Sequence, residues 1–205
     1  MVSRRILWFF LAPLSGFLFC SAAQAQKVLR NDDASVGGFY QFTSTASGNG
    51  ISDTASRSLG GEASFRHSFH WWLGYEASYD YTRFSDFYSG QAFGYQHNLH
   101  QFNGDYYVHG PKAFGIQPFA VAGVSAVVFS PTLNGGQNTP WQIRPGANFG
   151  AGINYPLLTS HLGVRLQYRG AYYEAPDFSP NGLPALSTNS YRLTSEPLAG
   201  VYIRF

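Results

Sequence analysis

His161-Leu-Gly-Val-Arg-Leu-Gln-Tyr-Arg-Gly-Ala-Tyr-Tyr173 alternates in character along its length. Leu162, Val164, Leu166, Tyr168, Gly170 and Tyr172 fall on one face, and Gly163, Arg165, Gln167 and Arg169 fall on the other. Successive side chains of a strand point to opposite sides, so this stretch reads as a β-strand with one apolar and one charged face. Trp72–Arg83 repeats the pattern, with Leu73, Tyr75, Ala77, Tyr79 and Tyr81 set against Gly74, Glu76, Ser78, Asp80 and Thr82. So does the last segment, where Leu193, Pro197, Ala199, Val201, Ile203 and Phe205 alternate with Arg192, Thr194, Glu196, Tyr202 and Arg204. Pro197 is the one blemish there, because it has no N–H to donate to a ladder.

Weaker alternation predicts further strands near Val36–Thr45, Arg57–His67, Tyr95–His109, Gln117–Phe129 and Gln142–Tyr155, eight in all. Gln117–Phe129 is apolar on both faces, and its small Ala residues are expected inside, against bulky neighbours. The connections alternate in length. Those around His67–Trp71, His109–Gly115 and Pro156–Ser160 are short; those around Ala46–Ser56, Ser85–Gly94, Ser130–Pro140 and Ala175–Thr188 are long and polar. Short turns at one end and long loops at the other are the asymmetry of membrane barrels. The expected fold is all-β: an eight-stranded antiparallel up-and-down transmembrane β-barrel.

Composition agrees. Charged residues make up 12% of the 205, aromatic residues 18%, and the mean hydropathy is −0.16. Disordered chains are charged and poor in aromatics, which excludes that class. Beyond the N-terminus no apolar run approaches the ~18 residues of a spanning helix. Trp71, Trp72, Tyr155 and Phe205 are expected in one interfacial belt, and Tyr81, Phe84, Phe129, Trp141 and Tyr172 in the other.

The N-terminus reads as an export signal. Arg4 and Arg5 precede an apolar stretch of 14 residues from Ile6 to Phe19, and Ala23 and Ala25 supply the small residues of a cleavage site. Cleavage after Ala25 leaves residues 26–205 as the barrel and removes Cys20, the single cysteine. The remainder carries 11 basic and 11 acidic residues, so no basic surface argues for nucleic acid. The six His are scattered without ligand spacing, and no metal or cofactor is expected.

With eight alternating segments, an export signal and a terminal Phe205 preceded by Gly200, Val201 and Ile203, the chain resembles the small outer-membrane β-barrel family typified by the OmpA membrane domain and OmpX. The resemblance covers residues 26–205 and implies a monomer in the outer membrane of a Gram-negative cell. It implies lipopolysaccharide and phospholipid as neighbours, and implies that Gly200, Ile203 and Phe205 serve as the signal for the outer-membrane assembly machinery. Leu198 departs from that signal, standing where a polar residue is usual.

An eight-stranded barrel is just wide enough for its side chains to fill. The alternation directs Glu62, Arg66, Glu76, Asp80, Asp105, Arg165, Arg169, Arg192, Glu196 and Arg204 inward, five acids and five bases. Buried charges must be paired, so an ionic plug is expected, with Arg165 and Arg169 at its centre and Glu62, Glu76 and Asp105 at similar heights. Val164 is expected to face lipid at mid-height. The functional expectation is a structural or passive, narrow porin-like role. Loop-mediated binding is the alternative, carried by Phe87, Tyr88 and Phe93. A lipid-modifying enzyme is a third reading: Ser85, Asp86 and His97 flank one loop, with His100 nearby, but no His-x-Ser-Asn pattern is present and no catalytic residue is expected. A soluble lipocalin-type barrel would share the period but turn its charges outward.

Overall fold

The computed structural model describes residues 32–133, 135, 139–157, 161–178 and 186–205. The expected signal segment, with Ala23 and Ala25, lies outside the described residues. These residues form ten strands: β1 (Asp32–Thr43), β2 (Ala46–Gly48), β3 (Ile51–Ala55), β4 (Ser58–Ser68), β5 (Leu73–Tyr88), β6 (Tyr95–His109), β7 (Gln117–Pro131), β8 (Gln142–Pro156), β9 (Leu162–Glu174) and β10 (Tyr191–Arg204). Eight of them make an antiparallel ring in which each strand pairs with its sequence neighbour, and β1 closes on β10. Closure leaves no sheet edge with unpaired backbone groups, the condition for sheet to span a bilayer.

The two remaining strands lie within the first long loop. β2 and β3 form a hairpin turned by Asn49 and Gly50, both at positive φ (52° and 76°). That is the turn whose twist matches a tight hairpin, and Asn-Gly is its preferred pair. β3 then pairs with the upper part of β5, which runs on to Tyr88. At the opposite end, Phe114 and Gly115 (φ 52° and 79°) turn the β6–β7 connection inside the Ala113–Ile116 bridge.

Burial alternates along every barrel strand. Val36, Tyr75, Tyr106, Phe149, Tyr168, Val201 and Ile203 lie on the outer wall. Trp71, Trp72, Tyr155 and Phe205 are exposed at the short-turn end, and Tyr81, Trp141 and Tyr172 toward the long-loop end. Three expectations are corrected. Phe84 and Phe129 are at most 3% exposed and point into the barrel, away from the belt. In β7 the large residues Phe119, Val121, Val127 and Phe129 fill the interior, while Ala120, Ala122 and Ala126 face outward. Val164 faces outward but pairs directly with Tyr155, so it sits at the level of the short-turn belt and not at mid-height.

The ladder between β1 and β10 is interrupted. Its pairs run to Phe39–Leu198 and resume at Phe42–Ser195, leaving Tyr40 and Gln41 without partners on β10. The gap sits at Pro197, whose missing N–H accounts for it.

Candidate functional site: the barrel interior

The inward residues stack in layers, each organised around arginine. Nearest the short turns, Arg165 donates to Asp33 (2.7 Å), Asn154 (2.9 Å) and Ser35 (3.0 Å). Its neighbour Arg66 lies over the Phe119 ring, 4.1 Å from the centroid, a stacking the planar guanidinium favours. Above it, Arg66 and Arg169 both bond to Glu76, one to each carboxylate oxygen. Arg169 also donates to Ser78 (2.6 Å) and lies 3.3 Å from Glu62 and 3.6 Å from Asp80. Asn103 donates to Ser78 and Asp80, and Asn148 to Asp105 (2.6 Å). Glu196 is the register partner of Arg169 on β10. Higher still, Arg192 donates to Asp86 (2.9 Å) and Asp53 (3.1 Å) with its guanidinium among the rings of Phe84, Phe129 and Tyr173.

An apolar cap closes the long-loop end. Phe84, Tyr88, Tyr95, Leu99, Val127, Phe129 and Tyr173 pack around Phe178, which the last long loop turns inward. Tyr88 anchors that loop by donating to the Pro176 carbonyl (2.8 Å). Arg144 holds it at the rim through Glu174 (3.2 Å) and Asp177 (2.5 Å). Tyr88 therefore belongs to the cap and is not an exposed loop residue, whereas Phe87 and Phe93 are exposed.

The expected inward set is thus distributed. Glu62, Glu76, Asp80, Asp105, Arg169 and Glu196 lie at mid-height, while Arg165 belongs to the layer below and Arg192 to the layer above. Arg204 is only half-buried, at the short-turn rim. The balance also differs from five against five. Among the described residues nine carboxyl side chains are buried (Asp32, Asp33, Asp53, Glu62, Glu76, Asp80, Asp86, Asp105 and Glu196) against four arginines (Arg66, Arg165, Arg169 and Arg192). The alternation missed Asp33, which precedes the expected start of the first strand, and Asp53, which the β2–β3 hairpin delivers to the mouth. The Asn49-Gly50 pair was the legible signal for that hairpin.

No family model matches the chain, and no curated protein is similar to it in sequence. Solved structures do match. The Neisserial surface protein NspA superposes with a TM-score of 0.61 at 17% identity, covering 85% of this chain and 97% of that one. OprG of Pseudomonas aeruginosa gives a TM-score of 0.58 at 16% identity, covering 86% and 96%. The fold is that of the small outer-membrane β-barrels. At this identity the likeness speaks for architecture alone.

The residues of the enzymatic reading do not converge. Asp86 and His97 approach to 3.4 Å inside the barrel, but Ser85 sits on the other face of β5. His100 points outward, within 2.7 Å of the Tyr79 hydroxyl.

Asp53 lies in the loop hairpin, outside the barrel strands. Burial, reinforced by the neighbouring Asp86 and opposed by Arg192, pushes its carboxyl from 3.8 up to about 8. A carboxyl whose pKa rises on folding holds its proton more tightly in the folded state. Its contribution to stability is complete below about pH 4 and is lost as the pH climbs toward 8. The melting temperature is therefore expected to fall across that window by a component that Asp53→Asn removes. Superimposable pH profiles for the two proteins would contradict this.

Proposed function

We propose that this chain spans the outer membrane as a sealed, monomeric barrel with a structural role, its interior closed by ionic layers and an apolar cap, and with the long loops outside. The observation that carries the reading is the filling of the lumen: four arginines no more than 1% exposed occupy it, Arg169 and Arg192 bond across it to Glu76 and Asp86 on β5, and Phe178 seats in the mouth above them. A conducting pore needs a continuous wet path, and these layers leave polar groups bonded across the lumen instead. Exposed aromatics at both ends of the outer wall support a lipid setting, and the N-terminal pattern supports export. Gly200, Ile203 and Phe205 are proposed to serve the assembly machinery.

The reading is tested by swelling of proteoliposomes in isosmotic sugar solutions. Vesicles holding the folded protein are expected to swell no faster than empty ones. Swelling at the rate of an open porin would overturn the sealed state. A second reading, loop-mediated binding, has one observation in its favour. The β2–β3 hairpin pairs with the extension of β5 and makes a firm platform that carries the exposed Phe87.

A further inference from the structure

All 11 Asp and Glu residues lie within the described part of the chain, and their distribution is one-sided. Eight are buried in the barrel or its mouth, Asp32 pairs with His67 at the short-turn rim, and Glu174 and Asp177 hold Arg144. None is left free on the outer wall toward the long-loop end, where Glu174 shares the outward parity of Tyr172 but is engaged by Arg144. Two further arginines lie there. Arg57 is exposed at the junction of β3 and β4, and among the described residues it has no hydrogen-bond or ion-pair partner. Arg83 is exposed on the adjacent strand, and its one polar contact is the Asn98 side chain (2.7 Å). Two unneutralised cations where the wall meets the rim call for an anion that the protein does not supply.

The wall below Arg57 is shaped to receive something. A cleft of about 400 Å³ opens beside it, lined by Phe42, Ser44, Thr54, Leu193 and Ser195. Phe42 and Leu193 are its apolar, outward-facing residues, while the three hydroxyl side chains and Arg57 are polar. Beneath it along the same seam lies a second depression of about 520 Å³, lined by Gly38, Tyr40, Leu59, Pro197 and Ala199. It runs beside the interrupted part of the β1–β10 ladder.

The glycines here are informative. A Cβ at Gly60 would fall 2.2 Å from the Phe39 ring, and one at Gly37 2.8 Å from the Ala199 carbonyl oxygen, so those inward positions are held small by packing. The outward Gly38 and Gly61 are under no such constraint. A Cβ there would meet nothing closer than 3.6 Å and 3.8 Å, respectively. The protein's own packing does not require them, and their absent side chains leave the floor of the groove bare.

We propose that this seam binds one phosphorylated glycolipid of the outer leaflet, with a phosphate on Arg57, a second negative group toward Arg83, and an acyl chain laid in the groove over Gly38. The chemistry is that of an amphiphile: charge-assisted hydrogen bonds at the rim and apolar burial below it. The inference rests on the reading that the long loops face outward, because only then does the cationic rim meet the lipopolysaccharide leaflet.

The test is native mass spectrometry of the full barrel refolded in detergent with bisphosphorylated lipid A or with phosphatidylglycerol. Folding of every sample is checked by its heat-modifiable mobility on unboiled gels. Wild type is expected to retain one lipid A molecule in preference to phosphatidylglycerol. Arg57→Gln is expected to lower that retention roughly tenfold, the effect of one charge-assisted contact. Gly38→Leu, whose Cβ would meet nothing closer than 3.6 Å and whose side chain would occupy the groove, is expected to lower it as well. Lys112→Gln, a cation at the opposite rim, is expected to leave it unchanged. Folded Arg57→Gln and Gly38→Leu proteins that hold lipid A like wild type would overturn the site. So would a wild-type protein that retains none, or one that prefers phosphatidylglycerol. A protein released from membranes by carbonate alone would instead defeat the transmembrane reading on which the site rests, so the two failures are distinguishable.

Discussion

Arg169→Ala is expected to cost the barrel about 3–5 kcal/mol, seen as a lower urea midpoint for unfolding from detergent or vesicles. Arg169 is fully buried, bonds to Glu76 and Ser78, and lies within 3.6 Å of both Glu62 and Asp80. Its removal leaves these carboxyls, and Glu196 opposite, with Arg66 as the remaining cation of the layer. The cost arises from stranded charge more than from lost attraction, since breaking a buried pair from one side is far more damaging than replacing both partners. Arg169→Lys should recover part of the loss, because it keeps the charge but gives up the planar fork that reaches several partners at once. A midpoint for Arg169→Ala equal to that of wild type would show that the middle layer does not hold the strands together.

Tyr168→Arg is expected to prevent stable assembly, because a charge on the lipid face at mid-height costs about 2–4 kcal/mol. Tyr168 lies on β9 halfway between Val164, the register partner of belt residue Tyr155, and Tyr172 of the opposite belt. Val164→Arg makes the comparison informative. At belt level the same charge costs about 0–1 kcal/mol, and that variant should fold nearly as well as wild type. The readout is the fraction with folded mobility on unboiled gels after refolding into vesicles. Equal yields for Tyr168→Arg and Val164→Arg would mean that depth does not matter, and that this wall does not face a bilayer.

The ring itself was legible because charge marks the inner face of most strands. Arg165 and Arg169 on β9, and Glu76 and Asp80 on β5, share parity with everything else that points inward. The misplacements arose where an expectation about residue type overrode that parity. Phe84 has the parity of Glu76 and Asp80, so it must enter the barrel however well an aromatic would suit a belt. On β7 the marker is faint. Gln117 and Ser125 are the polar residues that share parity with Phe119, Val121, Val127 and Phe129, and following them would have put the bulky residues inside and the alanines out.

The interior's chemistry was only half legible, for a different reason. Layers such as Arg192 with Asp53 and Asp86, or Arg165 with Asp33, join residues from distant parts of the sequence. Alternation gives the face a side chain occupies but not its height, which depends on how each strand is staggered against the next. Height is what separates Arg165 from Arg169. The apolar cap depended further on a loop turning inward at Phe178, and a segment without period gives no such indication.

Arg169→Ala removes one of four buried arginines from a lumen that keeps its carboxyl side chains, so any path opened by that loss should favour cations. The sealed state is tested most directly by planar-bilayer conductance of the folded wild-type protein. Wild type is expected to give no steady channel steps, and whatever Arg169→Ala protein inserts is expected to give cation-selective ones. Stable stepwise currents from wild type itself, at the pH and salt where it is fully folded, would contradict the plug and show a pore.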